Sequence, residues 1–225
     1  NQILKNLINR IISNGYTEDA FNFIEIVREK NKQPAFYASE LGSYFQMRMS
    51  FENSLENYLL YLDYNPNKYN MVSSRLMSFP TDDFIVKKLK GILEQSIIMG
   101  SKLLLSDLEF RSGNFIKSYT LLKDNFSKPE QLLKFSQHAI NAKAFDVALK
   151  AYTDIINGNF KNHIIRSAIY GMANALELKS IKSEPLLPIS SFFDGNEFFE
   201  SPYYTIEESL LPSLLQSVEI YDSLR

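Results

Sequence analysis

Apolar residues recur at spacings of three and four through most of the 225 residues. That is the period of a helix buried on one side, not the alternation of a strand. The pattern breaks into stretches of about 12–15 residues, with glycine and proline falling mostly between them. Taken in order, the stretches predict helix pairs over residues 2–30, 34–64, 68–97, 100–125 and 130–158, then a sixth first helix over 162–178. The third pair is irregular. A short helix carrying Val72 and Leu76 breaks at Ser78-Phe79-Pro80, and a second opens at Thr81-Asp82-Asp83. Thr81 is the expected cap there, with the two acids favoured at the positive end of the helix. Pro129 suits the opening of the fifth pair. Ala173 and Leu176 are expected inward on the sixth first helix. Its partner is expected late, from a Thr205–Glu208 capping box. Pro212 then either kinks that helix or marks a later start.

The stretches are also similar to one another. Shifting residues 40–66 back by 34 places Ala20 on Ser54 and Ile24 on Tyr58. Shifting forward by 64 places Leu105 on Leu41, Phe115 on Phe51, Ser118 on Ser54 and Leu122 on Tyr58. A further 30 brings Phe145, Ala148 and Tyr152 onto Phe115, Ser118 and Leu122. The chemistry of these positions is simple. Two helices that cross closely need a small side chain at the crossing, supplied by Ala20, Ser54, Ser118 and Ala148. A large residue one turn later fills the space beyond. An aromatic at the joint closes the end of the pair. No pair buries its apolar face alone, so pairs must pack on one another.

Leu41-Gly42, Phe45, Ser54, Tyr58 and Pro66 resemble the tetratricopeptide repeat, whose period is about 34. Gly15 and Gly113 match that family's glycine between helices, while Ser106 and Ser136 stand where Gly42 does. The resemblance covers roughly residues 1–178. It implies an all-α fold, a right-handed α-solenoid of about five to six antiparallel helix pairs, with helix above about 60%. The expected organisation is one helical-repeat domain over 1–225, with an irregular aromatic-rich insertion at about 179–204. A first residue other than Met, and an end at Arg225 inside a helical pattern, read as a piece of a longer protein. Degenerate repeats of this sort resemble those of bacterial proteins, exported ones included, which leaves cytoplasm and periplasm equally open.

Composition narrows the chemistry. With 24 Lys and Arg against 26 Asp and Glu, the net charge of −2 offers no surplus to neutralise phosphates, so nucleic acid is not an expected partner. There is no Cys, and His138 and His163 stand apart, so no metal site is expected. The longest apolar runs, around residues 97–105, are too short to cross a bilayer. No phosphate loop or nucleophile elbow occurs, and the expectation is a non-enzymatic protein without a cofactor. The acids Asp82-Asp83 and Glu207-Glu208 sit at predicted helix starts, where the dipole accounts for them. His138, on a predicted helix, is ordinary packing or surface.

Tetratricopeptide proteins often clamp a partner's C-terminal carboxylate with Lys, Asn and Arg from successive first helices. Lys5 and Asn9 occupy two such places, but Glu40, Gly100 and Leu104 occupy others. A carboxylate at Glu40 repels a carboxylate ligand, so tail recognition of this kind is disfavoured. The remaining groove positions are Phe36, Ser39, Ser43, Gln46 and Met47 in pair two, and Leu103, Asp107, Phe110 and Arg111 in pair four. Pair five adds Leu133, Gln137, Ile140 and Asn141. This mixed surface suits an extended peptide or amphipathic helix. For Phe36 and Phe110 two readings stay open, groove lining and packing on the neighbouring pair. The leading expectation is a protein-binding scaffold; the alternative is a structural spacer or assembly subunit.

The insertion carries Phe192, Phe193, Phe198, Phe199, Tyr203 and Tyr204 around Asp194-Gly195. It is too long for a plain joint. These aromatics are expected to bury against the same chain, covering an edge with Ile169, Met172 and Leu176. A self-ligand or partner site is the other reading.

Overall fold

A computed structural model describes residues 2–126, 128–180 and 211–223. The insertion with its six aromatics and the Thr205–Glu208 capping box lie outside the described residues. Of the described residues 81% are helical, and none forms a strand. The helices are α1 (Gln2–Ser13), α2 (Thr17–Asn31), α3 (Ala38–Met47), α4 (Phe51–Tyr64), α5 (Tyr69–Met77) and α6 (Asp83–Gln95). They continue with α7 (Ser101–Arg111), α8 (Phe115–Asn125), α9 (Pro129–Asn141), α10 (Phe145–Ile156), α11 (Asn162–Ser180) and α12 (Leu211–Ser223). The chain forms two compact units, residues 1–121 and 122–225.

Four helix hairpins share one joint. In α1–α2, α3–α4, α7–α8 and α9–α10 the helices are separated by three residues, 14–16, 48–50, 112–114 and 142–144. The central residue of each joint is left-handed: Gly15 (φ 89°), Met49 (φ 57°), Gly113 (φ 79°) and Lys143 (φ 59°). Its N–H donates to the carbonyl three residues back, and the next N–H donates five back. The pairs are Gly15 to Ile12 and Tyr16 to Ile11, Met49 to Gln46 and Ser50 to Phe45, Gly113 to Phe110 and Asn114 to Glu109, and Lys143 to Ile140 and Ala144 to Ala139. This is the Schellman ending, which satisfies carbonyls that the helix leaves open. The residue closing each joint then accepts from the small residue four positions on, Ala20, Ser54, Ser118 or Ala148, and so starts the second helix.

The crossing repeats as well. Ala20, Ser54, Ser118 and Ala148 are all fully buried. Ser54 Oγ donates to the Gly42 carbonyl at 2.7 Å, and Ser118 Oγ donates to the Ser106 carbonyl at 2.8 Å, twelve residues apart in both cases. Ser106 Oγ returns a bond to the Ser118 carbonyl at 2.7 Å. The hydroxyls thus satisfy themselves inside a contact too tight for larger side chains. Ile24, Tyr58, Leu122 and Tyr152, one turn further on, are buried too. Gly42 is small for a physical reason: a Cβ there would stand 2.6 Å from the Tyr58 ring.

In the first unit one core gathers Ile8, Ile24, Val27, Phe36, Tyr37 and Leu41 between α1, α2 and α3. A second joins Tyr58 and Leu62 of α4 to Val72 and Leu76 of α5, Leu89 and Leu93 of α6, and Leu104 and Leu108 of α7. In the second unit α11 packs on α9, α10 and α12. Ala168, Gly171, Ala173 and Leu176 are buried on it, and the Tyr152 ring lies where a Cβ on Gly171 would need to be. Burial pushes the Tyr152 phenol up to about 12.

Two expectations about boundaries need correction. The cap of α6 is Asp82, not Thr81: its carboxylate accepts from the Phe84 and Ile85 N–H groups at 3.0 and 3.2 Å. An acid one residue nearer the helix both caps and meets the dipole. The second pair begins at Ala38 rather than at residue 34, because Tyr37 is left-handed (φ 62°) and holds residues 34–37 as a turn.

Candidate protein-binding surface

The candidate positions are equivalent through the repeat. Ser43, Asp107 and Gln137 correspond at shifts of 64 and 30, as do Met47, Arg111 and Asn141. The structure treats the copies differently. Phe36 lies in the turn before α3, 6% exposed, inside the core of the first hairpin. Leu103 is buried on α7. Neither side chain is exposed. Phe110 is half-buried and meets the Phe115 ring edge-on at 5.0 Å. Ser43 is half-buried, with its Oγ 3.0 Å from the Tyr58 hydroxyl. Met47 is 77% exposed. Gln137 and Asn141, in the second unit, are exposed.

Asp107 and Arg111 hold the fold together. Asp107 Oδ2 accepts from the Tyr69 hydroxyl and from Ser73 Oγ, both at 2.6 Å, tying α7 to α5. Burial and the adjacent carboxylate push the Tyr69 phenol well above its ordinary range. Arg111 Nη1 donates to the Met77 and Phe79 carbonyls at 2.9 and 3.0 Å, at the end of α5. There it meets open carbonyls and the negative end of the helix dipole together. Burial lowers its pKa.

The sequence pattern did not single out Glu109. It sits among leucines on α7 with 1% of its side chain exposed. Lys90 Nζ donates to it at 2.6 Å, Lys117 Nζ lies 2.8 Å away, and Asn114 Nδ2 donates at 2.7 Å. Burial raises its pKa, but these three donors outweigh burial and bring it down to about 2. Lys117 is held above its usual range by its bonds to Glu109 and Glu94. A cleft of about 540 Å³ opens beside this cluster, lined by Asp83, Lys87, Lys90, Glu94 and Asn114 among others. The one sequence signal for Glu109 was a charge at a position held elsewhere by Phe45.

The carboxylate-clamp positions are closed internally. Lys5 Nζ pairs with Glu40, and the Tyr37 hydroxyl donates to Asn9 Oδ1. The lysine that such a clamp needs already has its counter-charge. His138 and His163 are on exposed positions of α9 and α11. Among the described residues no group of three or more His, Asp or Glu is placed to hold a metal ion, and no helix is long and apolar enough to cross a membrane. Protein-family models and curated proteins compared with the chain give no match.

Proposed function

We propose that this protein is a non-enzymatic scaffold of the tetratricopeptide kind, its helix pairs stacked as a right-handed solenoid that takes a peptide or helix in its concave groove. The observation that carries the reading is the hairpin itself. One joint, one crossing and one small residue recur at four places, and repeats of this sort need neighbours to bury their faces. Met47, Gln137 and Asn141 are the groove positions with exposed side chains. The test places a photoreactive residue at Met47 or Gln137, and at Glu56 on the exposed face of α4 as control. A defined partner crosslinked from Met47 and Gln137 but not from Glu56 is the expected result. Equal crosslinking from all three positions defeats the groove assignment.

The spacer reading has its own support. Phe36, Leu103, Asp107 and Arg111 are engaged inside the fold, so much of the proposed groove serves packing. Failure to crosslink any partner from Met47 or Gln137 favours it.

A further inference from the structure

The chain has no Cys, so its six methionines are its only sulfur atoms. Three are open to solvent: Met47, Met49 and Met99 are 77%, 79% and 77% exposed. Met71 and Met77 pack against the α4–α7 core of the first unit, and Met172 is half-buried on α11. Two of the exposed three stand two residues apart at one hairpin end.

The other hairpins do without them. Met47 is the last residue of α3, where α1, α7 and α9 end on Ser13, Arg111 and Asn141. Met49 is the left-handed centre of its joint, where the others have Gly15, Gly113 and Lys143. Three copies of the hairpin thus have no large apolar side chain at either position. The joint is held by backbone bonds, from the Met49 N–H to the Gln46 carbonyl at 3.0 Å and from the Ser50 N–H to the Phe45 carbonyl at 2.9 Å. Packing therefore accounts for neither thioether.

We propose that Met47 and Met49 form a site of reversible oxidation to methionine sulfoxide. Hydrogen peroxide supplies the oxygen. At each sulfur an S–O bond forms as the O–O bond breaks, the sulfur gives up two electrons, and water leaves. The return needs two thiols, as methionine sulfoxide reductases use: they become a disulfide, and the sulfoxide oxygen leaves as water. Oxidation converts two flexible apolar side chains into polar hydrogen-bond acceptors. Because the joint rests on backbone groups, the change falls on the surface of this hairpin end and not on its fold. The same step at Met71 or Met77 would set a sulfoxide against the core. The site is tested without any partner, so it and the scaffold reading fail separately.

The test uses the full chain with Met99→Leu, which leaves the pair as the exposed thioethers. Dilute hydrogen peroxide is added, and the oxygen gained at each methionine is followed by peptide mass spectrometry, natively and in denaturant. Met47 and Met49 should oxidise several-fold faster than Met71, Met77 and Met172 in the native protein, and at a common rate with them in denaturant. Protein oxidised at both should keep its circular dichroism spectrum and a melting temperature within about 2 °C of the untreated chain. It should also elute earlier from a hydrophobic-interaction column. Reductases for both sulfoxide epimers, supplied with a thiol, should return mass and elution to their starting values. In a chain that also carries Met47→Leu and Met49→Leu, the same dose should leave elution unchanged. Equal native rates at the five methionines overturn the site. So does a fall in melting temperature on oxidation of the pair, or sulfoxides that the reductases leave in place.

Discussion

The α3–α4 and α7–α8 hairpins share a joint and a crossing, yet they fill one shared position in opposite ways. Four residues before the left-handed residue, α3 has Phe45 and α7 has Glu109. Phe45 meets the rings of Phe21 and Tyr44 at 5.7 and 5.5 Å. Glu109 is buried among three donors, one of which, Asn114, closes its own joint. A Schellman ending usually pairs two apolar residues across these positions; here a hydrogen bond between Glu109 and Asn114 replaces that contact. The backbone device is therefore indifferent to side-chain chemistry, provided the position is filled and satisfied. The crossing shows the same freedom, with Gly42 under a Tyr58 ring in one hairpin and Ser106 bonded to Ser118 in the other.

The largest expected effect separates the two hairpins by pH. The Glu109 carboxyl, at about 2, lies below its unfolded value of roughly 4.3. Its contribution is thus complete above the unfolded value and is lost as pH falls toward 2. The difference corresponds to about 3 kcal/mol. Glu109→Gln should lower the unfolding free energy by that order at pH 7. In denaturant titrations at pH 3 its gap from wild type should narrow by roughly half. A gap independent of pH would mean that the lysines do not stabilise the carboxylate.

Next comes the crossing. Gly42→Ala drives a methyl into the Tyr58 ring and should cost about 2 kcal/mol. Combined with Tyr58→Leu, which imitates the Leu122 copy, most of that penalty should disappear, giving a coupling of about 1 kcal/mol or more in a double-mutant cycle. Ser106→Ala, where no ring presses, should cost about 1 kcal/mol through its lost hydrogen bond. Strict additivity of the α3–α4 pair would show that the ring does not set the size of residue 42.

The smallest effect compares the joints. No atom lies within 4 Å of a Cβ built on Gly113, so Gly113→Ala carries only the conformational cost of a left-handed residue, about 1 kcal/mol. Met49 already bears that cost at φ 57°. Met49→Gly should therefore raise the melting temperature while Gly113→Ala lowers it. Changes of the same sign would mean that the two joints are not equivalent.

Much of the hairpin was legible because its constraints are steric and periodic. Small residues at 20, 54, 118 and 148 and inward positions such as Val72, Leu76 and Ala173 follow directly from spacing. The joints were half legible: Gly15 and Gly113 announce left-handed turns, whereas Met49 and Lys143 adopt the same conformation under the pull of two backbone hydrogen bonds. The candidate surface was less legible. Periodicity assigns Phe36 to a helix, and only the left-handed Tyr37 takes it into a buried turn. Asp107 and Arg111 have the composition of a binding face, but their partners Tyr69, Ser73, Met77 and Phe79 are about 32 to 38 residues away in sequence. Pattern alone does not reveal which charged side chains meet partners so distant.

The constant twelve-residue step between crossing residues also fixes where the chain tolerates a change of length. From Gly42 to Ser54 and from Ser106 to Ser118 the step is the same, while the small residues of successive hairpins follow at 34, 64 and 30. One residue inserted inside a step turns the second helix by about 100° relative to the first. That swings the small side chain out of the crossing and brings a larger neighbour in. Residues added between hairpins, as around Gln33 or Lys161, leave every crossing in register. Insertions and deletions among descendants of this sequence should therefore collect between hairpins and be absent from the twelve-residue windows.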